Sequence, residues 1–346
     1  ICYTSGTTGT PKGVVIPHRS RALTSLACQA EYQCFGYKKR FLALAPMFHG
    51  AGFAFALAAV GHGGTCVLHD KSDAESILTR LENDNIHGIF VVPTHLKRIH
   101  DLPDERFLGF AKNHSLDTII SNASALSPRL KRLTVERFGG DLLHETYGST
   151  EAGIVTNMRP DLLMVKPESV GGAFLGVEIQ IRDENGSLCE AGEIGELFAR
   201  GPYNFLGYLN RPQETSETVI DGWVTVQDLA LQDADGAIHI MGRSKDMIVS
   251  GGINVYPAEV ESVIATVPGV LEVAIVGLAD DEWGEVLHAF VVPGSNDTLD
   301  LRDIHTVCQA ELVRYKQPKG ITLLSELPRN ASGKILKKVL RKHFDP

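Results

Sequence analysis

The chain reads as an α/β protein. A large domain over residues 1–243 carries mostly parallel sheet covered by helices, with a small β-barrel-like part at 171–242, and a small α+β domain follows over 244–346. Three observations predict this. Short apolar runs alternate with helix-patterned segments up to about residue 153, polar–apolar alternation with turn signals takes over to Gly242, and a mixed pattern resumes after Arg243.

The parallel part rests on apolar runs at residues 1–3, 41–45, 65–68, 88–92, 118–120 and 142–143. Between them Ala74, Ile77, Leu78 and Leu81 share one helical face, and Leu126, Leu130, Leu133 and Phe138 share another more loosely. Strands that alternate with helices form parallel sheets because each crossover lays a helix on a sheet face. Residues 51–60 are an apolar run, either a core helix or, with Phe48 and Phe53, the wall of an apolar pocket; the run is too short to span a bilayer. Further on, Glu178-Ile179-Gln180-Ile181-Arg182 alternates before the turn signal Asp183-Glu184-Asn185-Gly186, and Asp233-Ala234-Asp235-Gly236 separates a second apolar pair. In the last region a helix is predicted from Pro257, where proline suits a first turn. Strands at 273–277 and 289–292 and a helix over 301–313 follow. Near the end Lys334, Lys337, Lys338, Arg341 and Lys342 are interleaved with Ile335, Leu336, Val339, Leu340 and Phe344, which predicts a helix with a solvated basic face.

Composition narrows the function. With 346 residues, 43% apolar and 22% charged, the chain is an ordinary globular sequence, and its net charge of −9 excludes a general nucleic-acid binder. Six scattered cysteines without a Cys-x-x-Cys pair read as buried reduced thiols rather than disulfides or a metal site. His144-Glu145 opens like a zinc-protease motif, but Gly148 stands where the second histidine belongs. No targeting segment is visible and a cytoplasmic location is expected. The chain starts at Ile1 rather than methionine, so an N-terminal part is expected to be missing.

The chemistry-bearing stretch is Tyr3-Thr4-Ser5-Gly6-Thr7-Thr8-Gly9-Thr10-Pro11-Lys12-Gly13. Glycines let backbone N–H groups approach anionic oxygens, hydroxyls donate further hydrogen bonds, and Lys12 adds a point charge. A phosphate-binding loop and a plain polar surface loop both fit this composition. It is not the nucleotide-triphosphatase P-loop, because Pro11 holds the second glycine position and Gly13 replaces the magnesium-binding hydroxyl.

Four further segments stand in one order with that loop: Tyr147-Gly148-Ser149-Thr150-Glu151-Ala152-Gly153; Asp228 ahead of Asp235-Gly236 and Gly242-Arg243-Ser244-Lys245-Asp246; Ser250-Gly251-Gly252-Ile253-Asn254-Val255-Tyr256-Pro257-Ala258-Glu259-Val260-Glu261; and Ala331-Ser332-Gly333-Lys334. Together they resemble the adenylate-forming superfamily of acyl-CoA synthetases, luciferases and peptide-synthetase adenylation domains, over nearly the whole chain. The resemblance implies activation of a carboxylic acid with ATP and Mg²⁺, release of pyrophosphate, and transfer of the acyl group to a thiol, here coenzyme A. A fatty or similarly apolar acid is expected. An acyl-AMP ligase loading a carrier protein, a luciferase-like oxygenase and a non-catalytic nucleotide-binding fragment are the other readings.

By the same resemblance Thr4, Ser5, Gly6, Thr7, Thr8, Gly9 and Lys12 hold the β- and γ-phosphates. Thr150 donates to the α-phosphate, Glu151 binds Mg²⁺, Tyr147 lies against adenine, and Asp228, backed by Arg243, accepts from the ribose hydroxyls. Lys334 reaches between carboxylate and α-phosphate as the adenylation lysine. The small domain swivels about Lys245, Gly251 and Gly252 line the thiol channel or form a tight turn before a helix, and His49 lines the acyl pocket. Three departures stand out: Val226-Gln227 replaces the usual Thr-Gly before Asp228, the adenine-side loop reads Asn122-Ala123-Ser124-Ala125, and Ala331 replaces a common threonine.

Overall fold

A computed structural model describes residues 1–4, 11–70, 73–110, 114–294, 299–329 and 335–343. The chain enters through β1 (Cys2–Thr4) and β2 (Lys12–Val15), paired antiparallel with Thr4 opposite Lys12. The first apolar run is thus a strand, but it does not join the parallel sheet as expected. The connection from Thr4 to Lys12 is too short for a parallel crossover, so the strand pairs with its own successor.

Helix α1 (His18–Glu31) leads into the main sheet, built from β3 (Arg40–Ala43), α2 (Gly50–Gly61), β4 (Thr65–Leu68), α3 (Ala74–Asn83), β5 (Gly88–Val91), α4 (Pro93–His100), α5 (Asp104–Phe110), β6 (Thr118–Ser121), α6 (Pro128–Phe138) and β7 (Leu143–Ser149). These strands are parallel in the order β4-β3-β5-β6-β7. Then β8 (Gly153–Met158) folds back antiparallel and, after α7 (Pro160–Leu163), β9 (Gly172–Ala173) adds an edge. Both faces are covered. Adjacent residues Phe41 and Leu42, Ile89 and Phe90, and Ile119 and Ile120 go to opposite core clusters, as alternation along a strand requires. Of the two helical faces read from the sequence, Ala74–Asn83 forms as spaced. The second begins only at Pro128, with Ser127 Oγ accepting from the Leu130 N–H, so Leu126 precedes it. Helix α1 escapes sequence reading because it buries Ser20, Thr24, Ser25, Ala27 and Cys28, small residues that draw no apolar stripe.

The antiparallel part comprises β10 (Glu178–Arg182), β11 (Gly195–Arg200), β12 (Gly207–Tyr208), α8 (Pro212–Thr218), β13 (Val219–Ile220), β14 (Trp223–Val224), β15 (Asp228–Gln232) and β16 (Ile238–Arg243). It branches at β11, which pairs with β10, β14 and β15, while β12 crosses over to pair with β2. A further sheet with its helices follows: β17 (Ile248–Ser250), β18 (Ile253–Val255), α9 (Pro257–Ile264), β19 (Val270–Asp280), β20 (Gly284–Pro293), α10 (Leu301–Glu311), β21 (Gly320–Leu323) and α11 (Lys337–Arg341). Its core is Val260, Ile264, Ile275, Leu287, Val291 and Ile304. The C-terminal basic helix differs from expectation. It spans Lys337–Arg341, and its basic face is solvated only in part: Lys338 and Lys342 are exposed, while Lys337 pairs with Glu261 at 2.7 Å and Arg341 with Asp246 at 3.3 Å. All six cysteines are free. Among the described residues no helix is long and apolar enough to cross a membrane.

The interior strand β7 is pinned by a buried ion pair. Lys131 Nζ meets Glu145 Oε2 at 2.5 Å, with 2% and 4% of the two side chains exposed. Lys131 also donates to the Pro167 and Ser169 carbonyls, and Glu145 Oε1 accepts from the Leu126 N–H. Lys131→Met strands a buried carboxylate, so it is expected to cost about 3–5 kcal/mol, read as a lower urea midpoint, and adding Glu145→Gln recovers part of the loss. Burial also holds His100 down to about 3 and His144 to about 4. Between the ordinary histidine range near 6.5 and these values, the unfolded chain takes up protons that the folded one refuses. Stability therefore falls as pH drops from about 6.5 toward 4. A urea midpoint that is the same at pH 7.5 and pH 5 would contradict this.

Candidate active site

The antiparallel and parallel layers meet at a cleft of ≈ 630 Å³ between β2, α2, the β7–β8 turn and β15. Thr4, Lys12, His49, Thr150, Glu151, Asp228 and Arg243 all line it. The β7–β8 turn is possible only because its ends are glycine. A Cβ on Gly148 would stand 2.1 Å from the Gly153 carbonyl oxygen, and Gly153 itself has φ +75°. The turn carries Thr150 and Glu151 at its tip, and Ser149 Oγ closes it by accepting from the Ala152 N–H at 3.0 Å.

Glu151 is 8% exposed, and its Oε1 accepts from the Tyr208 hydroxyl at 2.8 Å. Burial, then the Glu151 charge, pushes that phenol well above its ordinary range. The ammonium of Lys12 lies 4.9 Å from the Tyr208 ring centroid. One tyrosine thus joins the cation of β2 to the carboxylate of the turn, held there because β12 pairs with β2. Across the cleft the β15–β16 register sets Asp228 opposite Arg243, whose Nε lies 3.1 Å from Asp228 Oδ1. Tyr147 donates its hydroxyl to Asp228 Oδ2 at 2.6 Å. Its phenol is raised far above the ordinary range by burial and by the Asp228 charge. Tyr147 packs into the core of the antiparallel part and is not among the cleft-lining residues.

Around these sit residues that orient the backbone. Asn122 donates to the Thr146 carbonyl and hydroxyl at 2.9 and 2.6 Å, and Ala123, at φ +80°, occupies a left-handed conformation beside the cleft. His49 stands at the N-cap position of α2 without a side-chain capping bond, and burial lowers its pKa. The replacement of Thr-Gly by Val226-Gln227 has a structural answer. Thr225, 3% exposed, donates its hydroxyl to Glu196 and accepts from the Gln227 N–H at 3.0 Å, so a hydroxyl one residue upstream braces the turn. Gln227 stands at φ +63°, in the conformation that favours glycine.

Other expected site residues lie elsewhere. Lys245 is in a 3₁₀ turn directly after Arg243, exposed and not among the cleft-lining residues. Gly251 and Gly252 form a tight turn, the tip of the β17–β18 hairpin that precedes α9, with Trp283 packed over Gly251. Ser5, Gly6, Thr7, Thr8, Gly9 and Lys334 fall outside the described residues; Arg329 and Ile335, on either side of the Lys334 segment, bridge each other and do not line the cleft. Phe48 lines the cleft but Phe53 does not; Phe55, two residues further along α2, lines it instead. Glu151 reaches the cleft from the β7–β8 turn and Glu214 and Glu217 line it from α8, and among the described residues no cluster of three metal-ligating side chains exists. Such a site fits Mg²⁺, which takes one or two carboxylates and shares phosphate oxygens. Sequence reading missed Tyr208, Thr225 and Arg21, since no spacing signal marks isolated residues that only pairing across sheets brings together.

Comparison with known proteins adds a family context. A model of the AMP-binding enzyme family matches residues 1–209, and one of the AMP-binding enzyme C-terminal domain matches residues 259–334. The medium/long-chain-fatty-acid–CoA ligase FadD8 of Mycobacterium tuberculosis is 36% identical over 353 residues, covering 99% of this chain and 61% of that protein. The indoleacetate–CoA ligase of Aromatoleum aromaticum is 35% identical over 343 residues, covering 99% and 66%. ATP-bound MatB from Rhodopseudomonas palustris superposes with a TM-score of 0.89 at 31% identity, over 99% of this chain and 67% of that one. The chain thus spans 61% and 66% of the lengths of the two ligases.

The left-handed Gln227 makes a prediction. Gln227→Gly is expected to stabilise the protein by roughly 0.5–1 kcal/mol and Gln227→Val to destabilise it by about 1–2 kcal/mol, because a β-branched side chain tolerates positive φ worst. Chemical denaturation of the two variants checks it; a Val variant as stable as the Gly variant would refute the strain.

Proposed function

The chain belongs to the AMP-binding enzyme family, and from that premise we propose that it acts as an ATP-dependent acid–thiol ligase that forms an acyl-AMP and passes the acyl group to coenzyme A. A carboxylate is a poor acyl donor because its leaving group is an oxide; joined to AMP it gains a stabilised one. The first step brings two anions together, so its catalysis is charge neutralisation and positioning. The observation that carries the reading is that Lys12, Thr150, Glu151 and the Asp228–Arg243 pair line one cleft.

In this reading Asp228 accepts from the ribose hydroxyls while Arg243 and Tyr147 fix both of its oxygens. Thr150 donates to the α-phosphate, and Lys12 with the neighbouring Thr4 and the 5–10 loop holds the departing pyrophosphate. Glu151 holds Mg²⁺, which when bound neutralises phosphate charge; Tyr208 orients that carboxylate. The acid enters on the side of His49, where Ala51, Ala54, Phe55 and Ile154 give apolar walls for its carbon skeleton. We place the boundary of the small domain after Arg243, so that it turns about Lys245, bringing Lys334 to the reacting carboxylate for adenylation and the Gly251-Gly252 hairpin to the thiol afterwards.

Two half-reactions test this. Lys334→Ala is expected to lower acid-dependent pyrophosphate exchange by about 10²–10³-fold, the usual worth of one preorganised charge contact; an undiminished exchange rate sinks that role. Lys245→Pro is expected to spare exchange and slow CoA-dependent AMP release, and equal loss in both steps counts against a pivot. AMP release that ignores CoA but responds to a carrier protein would move the acceptor to the carrier.

A further inference from the structure

One cation in the cleft has no part in the two half-reactions, and its chemistry bears on which acid the proposed ligase takes, so its assignment rests on the ligase reading. Arg21 lies in the first turn of α1. Its Nη2 is 3.6 Å from where a Cβ on Gly50 would stand, and Thr150 Oγ1 is 3.7 Å from the same point. The guanidinium therefore sits beside the reacting end of the cleft. The same lining includes Thr24, Ala54 and Phe55, which are 3%, 6% and 2% exposed.

Among the described residues the Arg21 guanidinium makes no hydrogen bond and no ion pair. Arg243 has Asp228, and Lys12 has the Tyr208 ring. The groups near enough to favour the Arg21 charge are the Cys2 and Cys28 thiols, and burial pushes the Cys28 thiol up, leaving it neutral. Burial correspondingly lowers the Arg21 pKa. The position in a first helical turn is adverse too, since the helix dipole there favours anions. A desolvated guanidinium with five donors and no acceptor is costly to hold, and its donors form a fork that fits a carboxylate.

We propose that Arg21 binds a second carboxylate of the substrate, so that the acid activated is a short dicarboxylic acid. The bidentate fork supplies recognition as well as charge. The acid is short because Arg21 and Thr150 flank the same glycine, which puts the second carboxylate a few bonds from the first. A fatty acid would instead press methylenes against an unpaired guanidinium. This departs from the wholly apolar acid that the sequence suggests: the skeleton meets apolar walls and its far end meets a cation.

Pyrophosphate release across paired acids of equal length tests it. Wild type is expected to favour short dicarboxylic acids over the monocarboxylic ones by roughly 10²-fold in kcat/KM, the scale of a lost charged hydrogen-bond partner. Arg21→Leu should lose about that factor on the dicarboxylic acid alone, with KM for ATP unchanged, and Arg21→Lys should recover part of it. Without substrate, Arg21→Leu should melt above wild type, and saturating dicarboxylic acid should raise the Tm of wild type but not of the variant. Equal loss on both acids, or a raised KM for ATP as a phosphate-binding cation would give, overturns the inference while leaving the ligase reading intact. So does release with monocarboxylic acids alone. No release with any acid overturns both.

Discussion

The site depends on the clamp around Asp228. The β15–β16 register alone sets this carboxylate opposite Arg243, and Tyr147 reaches its other oxygen from β7, a strand of the parallel sheet. Two sheets of different topology are thereby tied at one carboxylate that is 8% exposed. A shift of one residue along β15 would turn Asp228 to the opposite face and undo both contacts at once. The bracing of the turn before it, by Thr225 on Glu196 and on the Gln227 N–H, serves the same end.

A second clamp works on the β2 side of the cleft. Tyr208 donates to Glu151 while its ring lies near Lys12, and the pairing of β12 with β2 holds the three in place. The cleft thus has an end where Asp228 is paired with Arg243 and an end where Tyr208 stands between Lys12 and Glu151. Such an arrangement suits a metal-bound phosphate chain, which brings both signs of charge. Glu145, just upstream on β7, is paired with the buried Lys131 of α6, so the strand that carries Tyr147 and the Thr150–Glu151 turn is fixed from below.

Much of this is legible in the sequence. Runs such as 88–92 and 118–120 announce buried parallel strands because they are apolar on both faces, and Ala74 to Leu81 announce their helix through spacing alone. Motifs carry Lys12, Thr150, Glu151, Asp228 and Arg243, which the fold brings to one cleft. What stays hidden depends on contacts distant in sequence. Tyr208 is an isolated tyrosine until β12 crosses to β2, and Thr225 matters only because the chain turns left-handed at Gln227. Helix α1 gives no periodic signal because it buries serines and threonines. The sequence points the first strand to the wrong sheet, since an apolar triplet says nothing of its partner. The pairing of Lys337 and Arg341 in α11 stays hidden because Glu261 and Asp246 lie far away in sequence.

The most direct trial of the central claim is a crystal structure of the protein with Mg²⁺ and a non-hydrolysable ATP analogue. The ribose hydroxyls are expected on Asp228, the α-phosphate beside Thr150 and the phosphate tail running toward Lys12 past Glu151. A nucleotide bound outside this cleft, or one in it whose ribose does not touch Asp228, would contradict the account.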